Sequence, residues 1–319
     1  MDKISRRRIK KPAHRLRLTL YGFFSALITL TVVLLTLILL AKPSLFSNIS
    51  ASTPTIKSNL TNITLETPSP KPTPTAIPTA KPTPKPLLIP QSYGRSVHLP
   101  ILYYHYIGNN PNPADKARDS LSITPDRFTE EMKYLSENGY HTVTYPELYA
   151  ALKGQGGLPS KPVMLSFDDG YIDFYINAFP ILRQYNLKSV AFIPTGKAGS
   201  GFYLHWDQIK EMDSTGLVDF EAHSVDHVNL QSLSQDKLVF QLVESKKRLE
   251  LELGHPVKFM AYPYGSSDER VWEAVKKAGY LSAVGTWSSN IHSEGQIYDL
   301  PRIRMGGAVS LEQFKQKVQ

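Results

Sequence analysis

From Val97 onward, short apolar runs alternate with amphipathic stretches of helical period. Apolar runs bounded by turn-forming or charged residues read as strands buried on both faces. They predict strands at Ile101–Tyr104, Thr142–Thr144, Val163–Phe167, Ser189–Ile193, Val218–Ala222, Val257–Tyr262, Leu281–Val284 and Leu300–Arg304. Between them the spacing of apolar positions predicts helices such as Pro125–Asn138, Tyr171–Tyr185, Ser234–Leu253 and Asp268–Ala278. Gly139, Gly254 and Gly279 follow helix ends, where a left-handed C-cap favours glycine. Asp236 suits the positive first turn of its helix. Eight strand-like runs alternating with helices predict an α/β fold of the (β/α) barrel type, possible distortion included; an open doubly wound sheet is the alternative.

The pattern before Val97 is different. Leu18 to Ala41 holds no charged residue, enough for the ~20 residues of a membrane-spanning helix. The stub at residues 1–17 has eight basic residues against one acid, which predicts a cytoplasmic N-terminus. The apolar run exceeds the ~7–15 residues of a signal-peptide core, and Leu39-Leu40-Ala41 is a poor cleavage site, so a retained anchor is expected. Residues 42–96 are rich in Pro, Thr and Lys, as in Lys81-Pro82-Thr83-Pro84-Lys85-Pro86. Such a segment builds neither helix nor central strand and reads as an extended, disordered spacer. The expected organisation is a stub (1–17), an anchor (18–41), a linker (42–96) and a catalytic domain (97–319) outside the cell.

Charge and cysteine usage narrow the class. The chain carries a net +8, yet residues 97–319 hold 22 Lys+Arg against 26 Asp+Glu. A mildly acidic domain argues against a nucleic-acid partner. The absence of cysteine excludes disulfides, thiolate metal sites and cysteine nucleophiles. It suits the exterior of a Gram-positive bacterium.

Ser166-Phe167-Asp168-Asp169-Gly170 puts two adjacent acids at the tip of a predicted strand. Like charges so close disfavour joint ionisation unless a cation or proton separates their roles. One acid could bind a metal while the other handles protons. His223-Ser224-Val225-Asp226-His227 supplies two imidazoles four residues apart. On a helical turn they share one face; in an extended strand they would lie ~13 Å apart. Alone such a pair is more often surface or core histidine. Two histidines with one aspartate would leave open positions, as catalytic zinc sites do. That donor set admits Zn²⁺ first, with Co²⁺ or Ni²⁺ possible, and disfavours Ca²⁺ or Mg²⁺. In a barrel, chemistry gathers at the carboxyl ends of strands. His105, Asp168, Asp169, His223 and Tyr264 all stand there.

These residues resemble the polysaccharide deacetylases of the NodB-homology group, carbohydrate esterase family 4. The family's Thr-Phe-Asp-Asp-Gly corresponds to Ser166–Gly170, its His-Ser/Thr-x-x-His to His223–His227, and its Arg-x-Pro-Tyr-Gly to Ala261–Gly265. Two positions depart from that pattern. Ala261 stands where the family has an arginine steadying the base. The usual late Leu-x-x-His is missing, and the last histidine, His292, lies in a polar stretch read as loop. A branch with permuted motifs, including deacetylases of exported poly-N-acetylglucosamine, carries its acid histidine near the domain start. Tyr104-His105-Tyr106-Ile107 matches that arrangement.

The resemblance implies a metal held by Asp169, His223 and His227, with Asp168 as general base and His105 as general acid. The Tyr264 backbone N–H would stabilise the oxyanion. Arg302 is the candidate replacement for the absent arginine, its alternative a structural or surface arginine. Trp206, Trp272, Trp287, Tyr103, Tyr106, Tyr203 and Tyr262 could stack on sugars, with Trp287 and Tyr262 the substrate-binding candidates. Gly196–Gly201 reads as a rim loop, since Lys197 is followed by Ala198 rather than Ser or Thr. No Gly-x-Ser-x-Gly elbow is present. The expected function is a membrane-anchored, metal-dependent N-deacetylase of a polysaccharide containing N-acetylglucosamine. An O-deacetylase of wall polysaccharide and a non-catalytic glycan-binding protein are the alternatives.

Overall fold

The computed structural model describes residues 94–307 and 309–319. Strands run in chain order as β1 (Ser96–His98), β2 (Ile101–Tyr104), β3 (Tyr106–Ile107), β4 (Ser122–Ile123), β5 (His141–Thr142), β6 (Pro162–Phe167), β7 (Ser189–Ile193), β8 (Val218–Ala222), β9 (Phe259–Ala261), β10 (Ser282–Val284), β11 (Ile291–Ser293) and β12 (Ile303–Arg304). The main sheet is parallel, in the order β10-β9-β8-β7-β6-β2-β12, with β5 also paired to β6. A parallel bridge from Val284 to Leu300, just before β12, draws its two ends toward each other. The result is an α/β fold whose curled, half-barrel sheet is consistent with a (β/α) barrel.

Each of the eight predicted strand segments overlaps a strand of this sheet, though Thr142–Thr144 shares only Thr142 with β5. Period-two alternation sorts their side chains between two clusters. Leu102, Tyr104, Val163, Leu165, Phe167, Ala191, Ile193, Phe220 and Ala222 pack outward beneath the helices. Ile101, Met164, Val190, Phe192, Phe259, Ala261 and Val284 face the concave side with Tyr145 and Leu300. Tyr103, Ser166, Asp168 and His223 continue that concave-side alternation, which is how an apolar strand delivers polar groups to one mouth.

The helices at Pro125–Glu137, Gln235–Leu253 and Glu269–Lys277 match the predicted patterns within a residue or two. The predicted Tyr171–Tyr185 helix is α-helical only over Phe179–Tyr185, and Phe174–Ala178 winds as a π-helix. Pro180 lacks the N–H that would bond Ile176, so the wider winding falls where a donor is missing. Helices at Lys116–Leu121, Tyr145–Leu152, Trp206–Ser214 and Leu311–Lys317 complete the α-helical set among the described residues.

Two readings need correction. Ser96, assigned to the linker, belongs to β1, which pairs with β11. His292 is not in a polar loop: it is fully buried in β11, its Nε2 2.7 Å from the Leu99 carbonyl. The expected anchor (18–41) and nearly all of the linker lie outside the described residues. Among the described residues, no helix is long and apolar enough to cross a membrane.

Candidate active site

A cavity of about 480 Å³ opens at the carboxyl ends of the strands. His105, Asp168, Asp169, His223, His227 and Tyr264 line it. Residues as far apart in sequence as His105 and Tyr264 thus meet at one mouth.

Asp168 follows β6 and is held from beneath by Arg302. Arg302 Nη1 donates to Oδ1 and Nη2 to Oδ2, both at 2.7 Å. Nε donates to the Gly285 carbonyl at 2.9 Å, and Nη1 also reaches Ser166 Oγ at 3.3 Å. The Ser166 hydroxyl in turn donates to the Leu102 carbonyl. The guanidinium lies 4.5 Å from the Tyr103 ring centre and 5.6 Å from that of Phe192. Arg302 is fully buried, Asp168 nearly so. Burial raises the Asp168 pKa, but the charge and hydrogen bonds of Arg302 outweigh it and hold the carboxyl below its ordinary value. The fork uses one lone pair on each oxygen, so the carboxylate is fixed, ionised and still able to accept a proton.

Asp169 turns to the other side. Its Oδ1 lies 2.9 Å from His227 Nε2 and 3.4 Å from His223 Nε2. One donor atom from each of the three residues falls within 4.8 Å of the others. Asp169 Oδ1 is buried without a hydrogen-bond partner. His223 Nδ1 lies 2.8 Å from the Ala261 carbonyl. A carbonyl only accepts, so Nδ1 carries the hydrogen and Nε2 of the neutral ring offers its lone pair to the cluster. An orphaned carboxylate oxygen beside two imidazole nitrogens fits a small divalent cation. Burial works against a charged His223, but Asp169 and Asp168 prevail and raise its pKa.

The loop that carries the histidines is not the helical turn their spacing suggested. Ser224 (φ 65°) and His227 (φ 56°) are left-handed, which brings the two rings to a centre distance of 4.9 Å. Asp169 (φ 71°) and Tyr264 (φ 61°) share that conformation. Four of the six non-glycine residues with positive φ among the described residues therefore stand in this site. Such backbone persists where surrounding structure enforces it. Thr195 and Gly196 donate backbone N–H groups to the Ser224 and Val225 carbonyls. Gln241 Oε1 accepts the Val225 and Asp226 N–H groups, its Nε2 donates to Asp226, and Ser245 Oγ donates to the Ser224 carbonyl. Gly170 (φ 64°) has a matching constraint: a Cβ there would sit 2.9 Å from Ile193 Cδ1.

Gln241 and Ser245 were missed in the sequence, though a signal was present. They occupy the buried stripe of their helix with Leu238, Leu242 and Leu249. Polar residues on an apolar stripe require partners, and here the partner is the histidine loop.

His105 directly follows β2 against the same cavity, edge-on to Tyr103 at 5.7 Å, with Nδ1 buried and unpaired. Burial lowers its pKa, against the opposing pull of Asp168 and Asp169. Tyr264 is exposed and packs edge-on against His227. Tyr262 is not free to stack on a sugar: its side chain is fully buried and its hydroxyl donates to the Tyr298 carbonyl. It continues the apolar run of β9 into the core. Trp287 is part exposed, but its Nε1 donates to the Asp299 carbonyl and it is not among the residues lining this cavity.

The family model for polysaccharide deacetylase matches residues 155–283. The chain is 31% identical over 216 residues to YxkH of Bacillus subtilis, covering 68% of this chain and 74% of that one. It is 30% identical over 203 residues to a poly-beta-1,6-N-acetyl-D-glucosamine N-deacetylase of Staphylococcus aureus, covering 60% and 70%. Among solved structures, the Streptococcus pyogenes deacetylase PplD in complex with acetate aligns with a TM-score of 0.66 and 32% identity, over 70% of this chain and all of that one. The chain belongs to the polysaccharide deacetylase family. These are hydrolases of amide bonds, and a metal-dependent mechanism is general among them.

Proposed function

We propose that this protein releases acetate from N-acetylglucosamine units of an exported or cell-wall polysaccharide, outside a membrane to which an N-terminal helix anchors it. The observation that carries the reading is the division of one acid pair: Asp168 locked on Arg302, Asp169 turned to two histidines, both on one cavity. The name of the S. aureus relative supports the N-acetylglucosamine substrate. The uncharged run at 18–41, its basic flank and the Pro-rich segment support the anchor and stalk.

Asp169, His223 and His227 would hold the cation, Zn²⁺ by donor type. When bound it acts as a Lewis acid and brings the pKa of a water toward about 7. The remaining chemistry belongs to the chain. Asp168 takes the proton of the attacking water, and Arg302 keeps that base ionised and oriented. The Tyr264 backbone N–H donates to the acetamide oxygen as it gains negative charge. His105 gives a proton to the departing nitrogen as the C–N bond breaks. Products are acetate and a glucosamine unit, whose free amine makes the polymer cationic at that position.

The test is acetate release by the full-length protein on β-1,6-linked and β-1,4-linked N-acetylglucosamine oligomers, peptidoglycan and O-acetylated xylan. Release from N-acetylglucosamine polymers, abolished by chelator and restored by Zn²⁺, is expected. Release from acetyl esters alone would show an O-deacetylase. No release from any of them would leave a glycan-binding protein.

A further inference from the structure

In the proposed reaction His105 hands a proton to the departing nitrogen, which demands a fixed imidazole. Its Nδ1 is buried with no hydrogen-bond partner, so no bond there holds the ring. The direction of the ring must come from the backbone on either side. Just before it, the Tyr104 carbonyl accepts the Asp168 N–H at 2.9 Å. Just after it, Ile107 is fully buried in β3, and its carbonyl accepts from Asn177 Nδ2 at 2.6 Å. The Asp173 carboxylate faces the Ile107 N–H. Both side chains also lie close to the next residue: a Cβ at Gly108 would sit 3.5 Å from Asp173 Oδ2 and 3.8 Å from Asn177 Nδ2. Between these two holds, the Tyr106 ring stacks on Tyr171 at 3.9 Å.

One continuous stretch of chain, from Asp168 to Asn177, therefore grips the backbone around His105 on both sides. The same stretch contains the π-helix at Phe174–Ala178, the only π winding among the described residues. Such windings are rare and frequent at functional sites. Phe174 and Ala178 of this turn are buried in the apolar core, which accounts for its packing. Core packing does not account for Asn177. A buried carbonyl needs a donor, and in a sheet a neighbouring strand commonly supplies it. Here the donor is a side chain on the segment that begins with the base, so the acid and the base are tied through one piece of backbone.

We infer that Asn177, assisted by Asp173, is a positioning residue for His105: it fixes the Ile107 peptide relative to Asp168 and so holds the imidazole in register with the base. The inference rests on the reading of His105 as the acid of a polysaccharide deacetylase. Neither Asn177 nor Asp173 is among the residues lining the active-site cavity. Their effect falls on the proton transfer and not on substrate binding. An amide nitrogen leaves as an amine only by taking a proton as the C–N bond breaks. A nitrophenyl ester loses its phenolate without one, and so has no need of a placed acid.

The test measures kcat and KM of the full-length, Zn²⁺-loaded protein on a β-1,6-linked N-acetylglucosamine tetramer and on para-nitrophenyl acetate. The variants are Asn177→Leu, Asp173→Leu and Asp173→Asn, the last keeping an oxygen toward the Ile107 N–H. Each leucine variant is expected to lower kcat on the tetramer about 10-fold at unchanged KM, and on the ester by less than about twofold. Asp173→Asn should recover tetramer turnover relative to Asp173→Leu. The ester rate reports, in the same sample, that the variant is folded and loaded. Equal losses on the two substrates in both leucine variants, or undiminished tetramer turnover in both, would overturn the inference. Hydrogen exchange of the Tyr106 and Ile107 amides in the metal-free proteins supplies an arm independent of turnover. Exchange about 10-fold faster in Asn177→Leu supports the hold on this backbone, and unchanged exchange overturns it. A wild type that cleaves the ester but releases no acetate from the tetramer would instead remove the N-deacetylase reading, with the exchange result still deciding the hold.

Discussion

Two pairs of buried acids behave in opposite ways in this domain. Asp168 and Asp169, at the mouth of the sheet, are held below their ordinary pKa although burial pushes both upward. Glu131 and Glu221, away from that cavity, are pushed up to about 8 by burial. Three of the four accept hydrogen bonds, and Asp169 faces the two imidazoles. Glu131 accepts from the Tyr104 hydroxyl at 2.9 Å, and Glu221 from the Lys258 and Phe259 N–H groups at 2.9 and 2.8 Å. The difference is the kind of donor. A hydroxyl or two backbone amides do not offset desolvation; the Arg302 fork does, and so do two histidines around Asp169. Only an acid kept ionised can serve as base or ligand. Donor charge, more than donor number, thus separates working acids from structural ones.

The largest test removes the base. Asp168→Asn keeps the shape but has no carboxylate, and its single amide oxygen accepts from only one of the two Arg302 nitrogens. It is expected to lower kcat about 10²–10⁴-fold while calorimetry shows Zn²⁺ affinity little changed. Retained turnover would remove Asp168 from the chemistry. Next comes Arg302→Met, which leaves a buried carboxylate without its cation. Denaturant titration at pH 7 should show a loss of about 3–5 kcal/mol. A neutral effect would mean that Asp168 is not ionised in the folded protein.

A smaller effect is expected one layer out. Gln241→Leu removes the acceptor of two loop N–H groups, so Zn²⁺ affinity should fall about 10-fold with the fold retained. Unchanged affinity would show that the loop holds itself. The smallest effect concerns the other acid pair. Glu131 binds a proton in the folded state up to about pH 8, against 4.5 as its ordinary value. Between those values the folded protein holds a proton that the unfolded chain has released. The contribution is therefore complete below about 4.5 and is lost as pH rises through about 8. Glu131→Gln should flatten this decline by on the order of 1 kcal/mol per pH unit, seen in denaturant midpoints from pH 5 to 8. A wild-type stability that rises over this range, and is unaffected by the variant, would break the contrast.

Much of this arrangement is legible in the sequence. The strands of the main sheet are buried on both faces, so each leaves a continuous apolar run, and acids or histidines that interrupt such runs mark its mouth. The Asp168–Arg302 pair was legible only as a candidate. It spans 134 positions, and no local spacing shows that an arginine in Leu300-Pro301-Arg302-Ile303 points at β6. The π-helix at Phe174–Ala178 keeps an apolar period close enough to a helix to be read as one. Tyr262 misled because an aromatic next to a motif looks available, whereas the outward alternation of β9 takes its ring into the core. The left-handed histidine loop was hidden for a simpler reason: Ser224 and His227 are not residues that announce a positive φ.

The central claim, that Arg302 keeps Asp168 ionised so that it can act as base, is tested most directly by one pH profile. The acid limb of kcat/KM for acetate release would be compared between wild type and Arg302→Lys, both saturated with Zn²⁺. Lysine keeps the charge but loses the fork, so the midpoint of the limb should move up by roughly one pH unit. An identical limb in the two proteins would contradict the account.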